Sequence, residues 1–126
     1  MPSPRWTSDM AHFITGPSVI PGVEPKRIEE FIGGVNTGSS DMSVARMVAP
    51  AGWTEPGQRP GFDEVTLVLD GAVQVETEGE TFRIEAGQAL HMSAGEWVRY
   101  STPADLGATY VAICTPAFSP DLVNRD

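Results

Sequence analysis

Glycine and proline interrupt this chain so often that a long helix has no room to form. Thirteen glycines and eleven prolines are spread over 126 residues. A proline inside a helix costs about 3 kcal/mol and a glycine about 1 kcal/mol relative to alanine. No window keeps apolar residues at helical spacing for three turns. What lies between the breakers alternates instead. Val44, Arg46 and Val48 alternate with Ala45 and Met47 in 42–49, and 64–70 is a mostly apolar run, Val65, Leu67, Val68 and Leu69, that Gly71 ends. In 72–77, Val73 and Val75 alternate with Gln74 and Glu76; Glu78-Gly79 suits a hairpin tip; and Phe82 and Ile84 alternate with Arg83 and Glu85 in 81–85. Ala86-Gly87 and Ala94-Gly95 mark further corners around a strand at 88–93, followed by strands at 97–101 and 109–115. The segment 24–32 suits one short helix or a strand, and the strand is the expectation.

Short strands with a turn between each, and no helical crossover, predict an all-β chain of two antiparallel sheets, a sandwich or barrel. A chain of 126 residues is one domain's worth. The first dozen residues and the last few read as loosely held.

The formal net charge of −9 and a pI near 4.5 argue against nucleic acid and anionic membrane surfaces as partners. The one cysteine, Cys114, lies in an apolar run; it has no partner for an internal disulfide and reads as a packed core residue. No apolar run reaches the length of a signal peptide core or the roughly 20 residues of a membrane helix. A cytoplasmic location is the expectation.

Two segments carry more than turns and strands. The first is Gly52-Trp-Thr-Glu-Pro-Gly-Gln-Arg-Pro-Gly-Phe-Asp-Glu64, with Gly71 seven positions beyond Glu64; the second is Gly87-Gln-Ala-Leu-His-Met-Ser-Ala-Gly95-Glu-Trp-Val98. In order and spacing they resemble the two conserved motifs of the cupin superfamily, and in particular its small single-domain bacterial members of the conserved-barrel type. The resemblance covers roughly residues 40–117 and implies a double-stranded β-helix, or jelly-roll, barrel over 40–116. An arm at 1–39 with one or two short strands and a tail at 117–126 would flank it. Phe118, Leu122 and two prolines suggest that the tail is pinned to the barrel, and it resembles the tails of a subgroup of small bacterial cupins.

Most cupins hold a metal with three histidines and a glutamate. Here the histidine positions carry Gln58, Pro60 and Val98, and only the glutamate, Glu64, remains. One carboxylate and one amide make a poor transition-metal site. No metal and no other cofactor is expected; an unusual site drawn from Glu64, Gln58, Glu55 and His91 is the exception to test.

Other chemistry follows from strand alternation. Glu64 at the start of a central strand points inward with Thr66 and Val68, while Val98 and Tyr100 share an interior face and Trp97 and Arg99 point away. A carboxyl in an apolar cavity has its pKa raised and becomes a usable acid or base near neutral pH. Tyr100 then supplies a hydrogen bond to a developing oxyanion. His91 is a further catalytic candidate, because an imidazole ordinarily changes charge near neutrality. Gln58, Glu55, Thr66, Val98 and Arg46 are the candidate ligand-binding residues, and Trp53, Trp97, Phe62 and Tyr100 are candidate aromatic lining. The competing reading makes Glu64 half of a buried ion pair with Arg46 or Arg99.

The functional expectation is acid–base chemistry on a small organic molecule without a metal, of isomerase, cyclase or dehydratase type. The alternative is a barrel that binds a small ligand or a partner without chemistry. A homodimer is expected, since exposed strand edges on an acidic monomer need cover.

Overall fold

The computed structural model describes residues 11–126. Their alternating segments form β1 (Ser18–Ile20), β2 (Arg27–Ile32), β3 (Ser43–Ala49), β4 (Asp63–Thr77), β5 (Thr81–Glu85), β6 (Ala89–Met92), β7 (Val98–Ser101) and β8 (Ala108–Thr115), followed by one helical turn, α1 (Pro120–Val123). Every strand pairing is antiparallel. β4 belongs to both sheets. Its first half lies between β8 and β6, in a sheet that continues through β3 and β2 to β1. Its second half lies between β5 and β7. The chain is thus all-β with the expected jelly-roll layout.

Gly71 corrects one expectation. It is not a turn between two strands but the bend within one, just after a register shift between Val68 and Asp70. Its φ is +75°, and a Cβ there would stand 1.9 Å from the Gly107 carbonyl oxygen. Glycine is required because the backbones of β4 and the 107 corner touch where the barrel folds over. Gly79, by contrast, lies at the β4–β5 hairpin tip as expected, and Gly87 and Gly95 occupy corners with positive φ.

The core fills the space between the two sheets. Val68, Val73, Val75 and Val98 are fully buried, with Trp53, Ile84, Tyr100 and Tyr110 packed around them. Each such apolar side chain contributes about 1.5–3 kcal/mol by leaving water. The tail is held rather than loose. Arg59 N donates to Asn124 O (3.1 Å), Asp126 N donates to Gly57 O (2.9 Å), and Gln58 bridges to Arg125. Ser119 caps α1 ahead of Pro120, and Asn124 ends it in the left-handed region, which explains why a Ser-Pro-Asp sequence turns there. The expectation that the first dozen residues are loosely held falls mainly on 1–10, outside the described residues. Among the described residues no helix is long and apolar enough to cross a membrane.

Candidate active site

The inner face of the first sheet carries one row of small residues. Ser43 and Ala45 at the start of β3 face Ala112 and Cys114 towards the end of β8, with Ser43 opposite Cys114 and Ala45 opposite Ala112. Larger side chains there would fill the barrel. Instead a cavity of about 300 Å³ opens between them and the segment 53–58.

Glu64 lies on this wall, paired in register with Cys114 on one side and Met92 on the other. It is 9 % exposed. Burial pushes its pKa up to about 7, and the charge of Glu55 adds to the rise, while Lys26 and the Tyr100 hydroxyl pull it back. Glu55 is the counter-charge for the cations of the cavity. Its Oε2 lies 3.5 Å from Lys26 Nζ and 3.7 Å from Arg125 Nη2. Lys26 is itself buried, with Nζ 4.4 Å from the centre of the Trp53 ring. Gln58 exchanges both backbone hydrogen bonds with Val98, each 2.9 Å, which turns its side chain inward.

Tyr100 and Tyr110 line the same space. Burial, and then the charge of Glu64, holds the Tyr100 hydroxyl far above the ordinary phenol range, against the opposing influence of Thr66. Tyr110 is raised by burial, then by Glu55 and Glu64. Both remain protonated donors. Burial and then Glu64 likewise push the Cys114 thiol up, Ser43 opposing, so it is a poor nucleophile.

The structure brings Glu64, Tyr100, Gln58 and Glu55 together around the cavity, with Trp53 and Phe62 among its walls. Thr66 and Val98 are buried on the same faces but do not line the cavity, and Val98 packs into the core. Three candidates lie elsewhere. His91 pairs with Val65 on the outward face of β6 and is exposed, because alternation from Glu64 puts its neighbour Met92, not His91, inside. Arg46 is on the outward face of β3, 2.6 Å from Glu29, so it neither binds in the cavity nor meets Glu64. Arg99 pairs with Glu76 at the surface. The ion pair considered for Glu64 is therefore not formed with either arginine. Trp97 also points away, donating from Nε1 to Asp126 Oδ2 (3.0 Å) above Gly57.

Sequence reasoning missed Lys26, Arg125 and Tyr110. The alternation of Tyr110, Ala112 and Cys114 with Val111 and Ile113 is the signal that marks Tyr110 as inward. Lys26 and Arg125 carry no local signal, since chain pairing far from the motifs delivers them.

No family model matches the sequence. Over 108 residues the chain is 44% identical to a curated relative, an endoribonuclease YbeY of Myxococcus xanthus; the match covers 86% of this chain and 37% of the relative. The chain thus spans little more than a third of that relative's length. Among solved structures it is similar to a putative ethanolamine utilization protein EutQ from Salmonella typhimurium, with a TM-score of 0.64 and 25% identity over 81% of this chain and 80% of that one. The polyketide cyclase RemF of Streptomyces resistomycificus superposes with a TM-score of 0.70 at 16% identity, covering 91% and 84%. A cupin-like protein of Thermotoga maritima gives 0.68 at 12% identity, covering 84% and 82%. The chain has the cupin fold.

The metal that most cupins hold does not fit this one. Two of the four ligand positions, Pro60 and Val98, have no side-chain donor, and Val98 is packed in the core. Gln58 and Glu64 are the two donors left at those positions, and His91 faces outward. Among the described residues no group of three or more histidine, cysteine, aspartate or glutamate side chains converges.

Proposed function

We propose that this cupin acts on a small organic molecule by proton transfer through Glu64, as an isomerase, cyclase or dehydratase does. One observation carries the reading. Glu64 is buried at a cavity wall with no cation within ion-pair distance among the described residues, and its pKa is raised to about 7. Lys26, Arg46 and Arg99 are instead paired with Glu55, Glu29 and Glu76. A carboxyl in that state is half-protonated near neutrality and serves as base or acid with little change in driving force.

The steps follow from the residues. The apolar and aromatic walls exclude water from the bound molecule. Glu64 as carboxylate removes a proton from the carbon beside a carbonyl. Tyr100 or Tyr110 donates a hydrogen bond to the oxygen on which negative charge develops. The Glu64 carboxyl then returns the proton at a different atom, or to a leaving hydroxyl. The structural neighbour RemF is a polyketide cyclase, which agrees with this chemistry. RNA is a poor ligand for a cavity of this size in a chain of net charge −9.

The test is Glu64→Gln, which keeps the shape and removes the titration. Turnover of enolisable ketones or hydroxy ketones is expected to fall by about a hundredfold or more, the scale of a lost general base. Unchanged turnover would support the non-catalytic binding module instead.

A further inference from the structure

Two polar atoms lining the cavity have no hydrogen-bond partner among the described residues. Gln58 and Tyr100 are 5 % and 3 % exposed, and neither Gln58 Oε1 nor the Tyr100 hydroxyl has a partner at hydrogen-bond geometry among the described residues, although Glu64 and Thr66 stand near enough to the hydroxyl to influence it. Nearly all buried polar atoms in native proteins are bonded, and an orphan is costly. One backbone feature places both. Gln58 sits opposite Val98 on the inward face, and Tyr100 is the next inward position along β7. Diagonal neighbours of this kind lie about 7–8 Å apart, the span of one small molecule. Gln58 Oε1 can only accept, whereas the Tyr100 phenol, held protonated, is free to donate.

Charge and shape narrow the ligand further. The lining cations are Lys26 and Arg125, and Glu55 already meets both. An anionic ligand would find no unpaired cation and would face Glu55 and Glu64. Trp53, Tyr100 and Tyr110 offer flat walls, and about 300 Å³ admits one ring or a fused pair.

We propose that the cavity binds an uncharged, planar molecule carrying both a hydroxyl and a carbonyl, the hydroxyl donating to Gln58 Oε1 and the carbonyl accepting from the Tyr100 hydroxyl. This names the substrate class for the Glu64 chemistry and rests on that reading for catalysis, though not for binding. The carbonyl held by Tyr100 is the one whose neighbouring carbon Glu64 deprotonates.

Calorimetric titration at neutral pH tests it with four probes: meta-hydroxyacetophenone, acetophenone, meta-ethylphenol and meta-hydroxybenzoate. The hydroxy ketone is expected to bind about tenfold or more tightly than the two compounds lacking one group, and than the carboxylate, as expected when a buried polar atom is left unmet. Gln58→Leu should erase its advantage over acetophenone, and Tyr100→Phe its advantage over meta-ethylphenol. Without ligand, Tyr100→Phe should keep or raise the melting temperature, because it removes an orphan hydroxyl. Equal binding of the probes, no saturable binding of the hydroxy ketone, or tighter binding of the carboxylate overturns the proposal. So does a fall in the melting temperature of Tyr100→Phe, which would mean that the fold already uses the hydroxyl. Glu64→Gln should show the same order of affinities as the unaltered protein. Loss of activity in that variant with no discrimination among probes sinks this proposal alone; discrimination with no effect of Glu64→Gln on turnover sinks the catalytic reading alone.

Discussion

At the residue scale, Glu64 links stability to pH with a definite sign. Its folded pKa of about 7 lies above the ordinary 4.5. Between those values the unfolded chain has lost a proton that the native state keeps, so stability falls as pH rises through the window and levels off above it. The total is about 3 kcal/mol, at 1.36 kcal/mol per pKa unit. Glu64→Gln should remove this slope. Urea unfolding is expected to show the variant equal to the unaltered protein near about pH 4 and more stable by up to about 3 kcal/mol near about pH 8. A variant that loses stability at high pH would mean that the carboxylate is satisfied by a buried partner. Metal content belongs to the same scale, because it depends on the donors at four positions. Protein purified without added metal should carry well under one equivalent by elemental analysis, and a chelator should leave the melting temperature unchanged.

At the scale of elements, β4 organises the barrel by serving two sheets, and its bend depends on a single residue. Gly71→Ala combines a left-handed backbone with a Cβ set 1.9 Å from the Gly107 carbonyl oxygen. It should cost about 3 kcal/mol or more, as strain and overpacking together. Gly95 has a φ of +86° but open space around it. Gly95→Ala should cost only about 1 kcal/mol, the left-handed penalty alone. Thermal unfolding of the pair separates the two effects; equal losses would mean that the close approach at Gly71 relaxes cheaply. The segment 53–58 is a second organising element. Its bridges to β7 at Thr54–Ser101 and Gln58–Val98 put Glu55 and Gln58 beside the strand that carries Tyr100.

At the scale of the whole molecule, the expected homodimer turns on how the sheets end. The edge strand β1 has three residues, and β6 and β7 have four each. Short edges present little unpaired backbone. Exposed apolar side chains are found on β1, β3 and β4, at Val19, Val48, Leu67 and Leu69. Light scattering is expected to give about twice 13.5 kDa, the mass of one chain. A mass of one chain across working concentrations would count against the dimer.

Periodicity and glycine spacing determined the fold class, because strand alternation and tight corners are local properties written residue by residue. They placed Glu64, Thr66 and Val68 on one face and Val98 and Tyr100 on another, and the resemblance of the two glycine-bounded segments around Glu64 and Val98 to the cupin motifs implied the barrel. Local pattern also marked Gly71 as a break, yet could not tell a turn from a bend, since that depends on Gly107 approaching from 36 positions away. His91 and Arg46 alternate as regularly as Glu64 does, but the side of the strand that faces the cavity is decided by which sheet covers it. Lys26 and Arg125 reach the cavity from opposite ends of the described chain, and Glu55 draws both in. The raised pKa of Glu64 likewise comes from burial and from a neighbour's charge. These are sums over groups brought together by long-range pairing, so only the tertiary structure decides them.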